Sequence, residues 1–401
     1  MTRPPLSMLT RRTTLLGLAG AISLGRASLA VAAAPTDKRL VVVILRGALD
    51  GLSAVVPYGD ADLADMRGAL VPPAPGQDNG LLDLGGFFGL HPALAGLHGL
   101  YRSGEFLAVH AVAGSWRNRS HFEAQDYMEF GADERLSSGW LNRVASAIAT
   151  GKSPGTTAEL ALAVGNLVPV LLRGPAPVGN WLPQSFQTPQ ADLYARIAAL
   201  HAADPITGPA VNAGLRERGF TSATLAGAAD PPDKFGFPAL AAAAGKLLAA
   251  PDGPRLAALE IGGWDTHANQ ADRLAGPLRL LDAGLLALKD GLGAVWAGTA
   301  VLVMTEFGRT VRPNGTRGTD HGTGTVAFVL GGGIVGGRVR ADWPGLAAAS
   351  LFENRDLMPT TDLRGVAKGV LAQHLGLSPA ALAKVFPASQ AVAAMPNLLR
   401  G

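Results

Sequence analysis

Asp265 and His267 stand two residues apart in "LEIGGWDTHANQ", residues 259–270, just where an apolar run ends in two glycines and a tryptophan. A carboxylate and an imidazole so placed can bind a divalent metal. The chain repeats the arrangement. Asp50 follows "RLVVVILRGAL", Ser120 and His121 follow "EFLAVHAVAG", and Glu306 follows "VLVMT". Asp320 and His321 lie in "GTDHGTG", the glycine-rich loop that enters "TVAFVL". Asp50, Asp265, His267, Glu306, Asp320 and His321 are the candidate metal ligands. Cysteine is absent, which excludes thiol catalysis and thiolate sites. The donors left are imidazoles and oxygens, and they call for a divalent ion such as zinc, manganese, calcium or magnesium.

Ser120 carries two readings. It is a good helix N-cap, with Glu123 three residues later to complete a capping box. A hydroxyl at a helix N-terminus beside a metal is also a candidate nucleophile, because exposed amides and the helix dipole favour an anion there. Ser120 and the adjacent His121 are the catalytic candidates, and Arg117 and Arg119 offer guanidiniums to an anionic ester. Bland roles compete at single positions, such as a cap for Asp50 and an Asx-turn for Asp320. Two other signals fail. "GGGIVG" at residues 331–336 fits a dinucleotide fingerprint, but "GRVRADWPG" after it is not helical. No G-x-S-x-G occurs, so a hydrolase elbow is unsupported. His91, His98, His110, His201 and His374 fall in helical or strand patterns and read as structural.

The elements that must carry these residues are strands alternating with helices. Residues 40–45 form a continuous apolar run, the mark of a strand buried on both faces. "EFLAVHAVAG", "RLAALEIGG", "TAVLVMT" and "GTVAFVL" read as further strands. "HPALAGLHGLYRSG", "QADRLAGPLRLLDAGLLALKDGLG", "TTDLRGVAKGVLAQHLG" and "SPAALAKVF" read as helices, the last with Ser378 as cap and Pro379 in the first turn. The pattern predicts an α/β fold, a mainly parallel sheet sandwiched by helices. Ligands bind at the carboxyl ends of strands in such sheets. Residues 35–401 read as one domain, with a less regular inserted region at about 156–254 that caps or flanks the site. Within it, "ELALAVGNLVPVLLRGPAPVGNW" suggests short strands and a hairpin, and "ADLYARIAALHAAD" and "FPALAAAAGKLLAA" suggest helices.

Residues 1–34 read as a signal peptide: a basic start, the short apolar run 15–24, then small residues. "TRRTTLLGL" places twin arginines before that run and points to the twin-arginine export machinery, hence to a periplasmic or secreted protein. Without the leader's four arginines, 30 basic residues face 31 acids, so the formal net charge of +3 belongs to the leader. No basic stripe interleaved with aromatics suggests nucleic acid. No stable membrane span is expected in the mature chain.

Together "LRGALDGL", "NRSHFEAQDYMEFG", "SSGWLNR", "GGWDTHANQ", "TEFGRT" and "GTDHGTG" resemble the exported bacterial proteins of the domain of unknown function 1501 family. That family is grouped with the alkaline phosphatase and sulfatase superfamily. The resemblance implies a parallel-rich sheet between helices and a metal site at the strand ends. It matches Asp50 to the aspartate after the first strand, Ser120 to the nucleophile, Asp265 and His267 to the later Asp and His, and His321 to the final histidine. The next Asp-His of the superfamily is here Glu306-Phe307, which departs from a two-metal phosphatase site. One metal, a pair completed by Asp320 or His121, and a degenerate site all stay open. The expectation is an exported metal-dependent hydrolase of phosphate or sulfate esters, acting on a small anionic ester. The alternative is a non-catalytic envelope binding or assembly protein, with an envelope polymer as partner.

Overall fold

The computed structural model describes residues 36–149, 160–183, 191–202, 204, 207–225 and 233–400. The leader and its twin arginines lie outside them. The apolar run after the leader is strand β1 (Arg39–Arg46), whose residues alternate between two cores. Val41, Val43 and Leu45 pack on one face of the sheet against the helices Ala95–Arg102, Phe237–Ala249 and Gln270–Leu292. Leu40, Val42 and Ile44 pack on the other against Trp140–Ala149, Leu363–Leu375 and Pro379–Val385. All six side chains are at most 1% exposed. Each such burial contributes about 1.5–3 kcal/mol, which is why a strand with both faces covered reads as unbroken apolar sequence.

The remaining strands are β2 (Val55–Val56), β3 (Leu82–Asp83), β4 (Gly89–Leu90), β5 (Phe106–Ala113), β6 (Ala161–Val164), β7 (Val178–Trp181), β8 (Leu256–Gly262), β9 (Thr299–Thr305), β10 (Thr325–Leu330), β11 (Arg338–Arg340) and β12 (Thr361–Asp362). The main sheet runs β11-β5-β10-β9-β1-β8-β6-β7, with β12 paired to β5. β2, β4 and β3 form a small separate sheet. The main sheet is parallel except for β10, which is antiparallel to both of its neighbours. The architecture is α/β, a mainly parallel sheet between two helical layers.

Two strands from the segment read as an inserted region, β6 and β7, extend this same sheet beyond β8. They pair in parallel, which corrects the hairpin expected there. Residues 165–177 between them are long enough for a crossover, and parallel neighbours need one. Ser378 caps its helix as expected, accepting from Ala381 N–H at 3.2 Å, with Pro379 in the first turn. Among the described residues no helix is long and apolar enough to cross a membrane.

Candidate metal centre

Four chain segments meet beyond the carboxyl ends of β1, β8 and β9. The segment after β5 delivers His121, the first residue of the helix His121–Phe130. Asp265 and His267 follow β8, and Glu306 follows β9 directly. Asp320 and His321 precede β10. Because β10 runs against its neighbours, the residues that enter it lie at the same edge as those that leave the parallel strands.

The loop carrying Asp320 and His321 is stitched on both sides. Toward β8, Thr319 N–H donates to Thr266 O at 3.1 Å and Asn269 N–H to Thr316 O at 3.0 Å. Toward β9, Thr310 N–H donates to Asp320 O at 2.9 Å and Gly322 N–H to Gly308 O at 2.8 Å. Two glycines make this fit. A Cβ on Gly318 would collide with the His267 backbone, and one on Gly322 with the Arg309 backbone. The spacing of "RGTDHGTG" thus follows from a chain wedged between two others.

His121, Asp265 and His321 each turn one ligand atom toward a common point. The Nε2 atoms of His121 and His321 are 3.0 Å apart, and Asp265 Oδ1 lies 3.3 Å from His321 Nε2 and 3.5 Å from His121 Nε2. His267 adjoins this trio, with its Nε2 3.1 Å from His321 Nε2 and 2.9 Å from Asp265 Oδ1. Ligand atoms around a tetrahedral cation at about 2.0–2.1 Å stand about 3.3 Å from one another. The separations in the trio match that edge.

The proton positions point the same way. His121 Nδ1 lies 2.8 Å from Glu306 Oε1, His321 Nδ1 2.8 Å from the Arg119 carbonyl, and His267 Nδ1 3.2 Å from Asp320 Oδ1. A carbonyl or an ionised carboxylate can only accept, so each Nδ1 carries the hydrogen. In its neutral form each ring then presents a bare Nε2. Lone pairs so placed, 3.0 Å apart, can hold a cation between them. An acceptor behind the imidazole is the usual support of a metal-binding histidine.

The electrostatics are arranged to keep the acids ionised. Glu306 is buried, which works to raise its pKa. Hydrogen bonds from His121, from Gln125 Nε2 at 2.9 Å and from Gly47 N–H at 2.8 Å outweigh this and hold it below the usual carboxylate range. Burial likewise pushes Asp265 upward, but Arg309 Nη1, 2.6 Å from Oδ1, brings its pKa below the usual value. Asp320 is held low, foremost by Asn314 Nδ2 at 3.0 Å. The hydrogen bond to Glu306 raises His121, whereas burial foremost lowers His321 and favours its neutral form.

The profile of a family described as "Protein of unknown function (DUF1501)" matches residues 116–386. The chain belongs to this family. The match takes in every residue of the centre described above except Gly47. Among solved structures the chain is similar to a protein in the alkaline phosphatase superfamily from Vibrio parahaemolyticus. That similarity has 9% identity over 82% of this chain and 71% of the other, with a TM-score of 0.35. No curated protein matches the chain.

In this DUF1501 chain the structure separates the residues that sequence reasoning had grouped. His121, placed with catalysis, stands among the ligand atoms. Glu306 and Asp320, placed with the ligands, stand behind His121 and His267 and orient them. Asp50 lies outside the group: its buried carboxylate pairs with Arg67 and caps the short helix Gly51–Ala54. Ser120 occupies the N-cap, but its side chain makes no capping hydrogen bond. The expected capping box does not form, because Asn118 takes both its partners. Asn118 Oδ1 accepts from Ser120 N–H at 3.1 Å, and Asn118 Nδ2 donates to Glu123 at 2.6 Å. Arg119 spends its guanidinium on Asp356 and Glu353 and serves the centre through its carbonyl. Arg117 is exposed and donates to the Gly114 carbonyl.

Arg309, Gln125 and Asn314 were not read from the sequence. The cue for Arg309 was its place three residues after Glu306 in "TEFGRT". Of the five histidines read as structural, four bond to backbone: His91 accepts from Ala93 N–H, and His98, His110 and His374 face carbonyls. His201 faces the Thr207 hydroxyl.

Proposed function

We propose that the chain is an exported, metal-dependent hydrolase of phosphate or sulfate esters, with His121, Asp265, His321 and the adjoining His267 as the metal-holding residues. The observation that carries this reading is the convergence of bare imidazole nitrogens and one carboxylate oxygen at tetrahedral-edge spacing. A set rich in imidazole suits zinc better than manganese, calcium or magnesium. A divalent ion held there would polarise a phosphoryl or sulfuryl oxygen and stabilise charge on the group being transferred. Glu306, Asp320 and the Arg119 carbonyl keep the three rings in register. Ser120 is the chain's nucleophile. Its hydroxyl is free of a capping bond, and the residues on either side of it, Arg119 and His121, both contact the centre. The "TRRTTLLGL" leader supports twin-arginine export to the periplasm or beyond.

The test is a panel of chromogenic phosphate and sulfate esters with zinc, manganese, calcium and magnesium supplied in turn. Turnover should require metal and should nearly vanish in Ser120→Gly, since glycine tolerates the cap position but has no hydroxyl. The withdrawal of Asp50 into an ion pair favours a second reading, a binding or assembly protein that keeps the metal without turnover. Full metal retention with no hydrolysis of any ester would select it.

A further inference from the structure

Asp50 is 1% exposed, and none of its hydrogen-bond partners belongs to the imidazole cluster. It accepts from Arg67 Nη2, from Gln270 Nε2 at 2.5 Å, from Ser53 Oγ at 2.8 Å and from Leu52 N–H at 3.1 Å. Arg67 is equally buried, and it also donates to the carbonyls of Thr310 and Val311 at 3.0 Å each. From Gln270 the polar chain runs on. Gln270 Oε1 accepts from Thr319 Oγ1 at 2.5 Å, Thr319 Oγ1 accepts from Arg309 Nε at 3.1 Å, and Arg309 Nη1 donates to Asp265 Oδ1 at 2.6 Å. A continuous hydrogen-bonded path therefore links the Asp50 pair to the metal-facing carboxylate, with a buried guanidinium at each end.

The charges along this path nearly settle the capacity of the site. Arg67 cancels Asp50, and Arg309 cancels Asp265. Beside the neutral imidazoles that leaves Glu306 and Asp320, two negative charges, which one divalent ion balances. A second ion on Asp50 would have to displace Arg67 from a buried position where it has other acceptors, and would leave its own charge uncompensated. We infer that the centre is a one-cation site, in which the buried guanidiniums of Arg67 and Arg309 supply the positive charge that a second metal would bring, and that Asp50 is not a ligand. This rests on the metal reading proposed above.

Metal content of the purified mature protein, together with calorimetric titration by zinc, tests the inference. One ion per chain is expected. The double variant Asp50→Asn with Arg67→Met removes both buried charges together, a change the fold tolerates better than the loss of one. It should still bind one ion. Two ions in the wild type, or loss of the ion in a folded double variant, would overturn the inference. A wild type that takes up no ion would instead refute the metal reading itself, so the two failures are distinguishable.

Discussion

Glu306→Gln isolates the support behind His121. In the wild type, Oε1 of this 2%-exposed carboxylate accepts from Gly47 N–H, His121 Nδ1–H and Gln125 Nε2, and Oε2 accepts from the Thr305 hydroxyl at 2.9 Å. Glutamine can take the same place with its oxygen toward the three donors and its amide toward Thr305. The Thr305 hydroxyl can then donate to the Leu45 carbonyl, 2.8 Å away. Every donor already present keeps an acceptor, so the fold should survive. What is lost is the negative charge that holds the Nδ1 hydrogen in place and makes Nε2 more basic. Replacing such a partner typically weakens metal binding by about 10–100-fold, or about 1.4–2.7 kcal/mol. Zinc affinity measured by chelator competition should fall by that amount, with the melting temperature of the metal-free protein changed little. Unchanged affinity would show that His121 is not a ligand. Complete loss of binding would make Glu306 itself a ligand and refute the division of roles.

Gly322→Ala should drive a Cβ into the Arg309 backbone, costing about 1–3 kcal/mol in thermal unfolding and displacing His321 enough to weaken zinc binding. Acid stability should depend on His110, whose pKa burial lowers to about 4. Its Nε2–H donates to Val55 O and its Nδ1 accepts from Ala111 N–H at 2.8 Å, so a second ring proton would meet a donor. The unfolded chain takes up that proton as pH falls through 6.5, and the folded chain only near 4, so stability drops between these values. His110→Gln should lower the slope of stability against pH between 5 and 6 by about one proton, roughly 1.4 kcal/mol per pH unit, and an unchanged slope would contradict this. Replacing Arg11 and Arg12 with lysine should strand the precursor in the cytoplasm, as fractionation would show.

The strands that frame the centre were readable because burial on both faces leaves an unbroken apolar run. β1, β5, β8, β9 and β10 all lie where such runs occur. Direction was not readable, since an apolar run is the same in either sense. That is why the parallel pairing of β6 and β7 was missed, and why His321, on an entering loop, needed the antiparallel β10 to explain its place. Residue type marked His121, Asp265, His267 and His321, but their division from Glu306 and Asp320 depends on which ring nitrogen faces which acceptor. Asp50 looked like a ligand because its partner Arg67 sits 17 residues on, within a Pro/Gly-broken excursion whose packing leaves no periodic trace.

The proposed function requires a cation at the meeting point of His121, Asp265 and His321. Anomalous scattering from crystals of the zinc-loaded mature protein, collected on either side of the zinc absorption edge, addresses it most directly. A single anomalous peak per chain is expected, bounded by His121 Nε2, His321 Nε2 and Asp265 Oδ1. A peak at Asp50, or no peak among the three histidines, would contradict it.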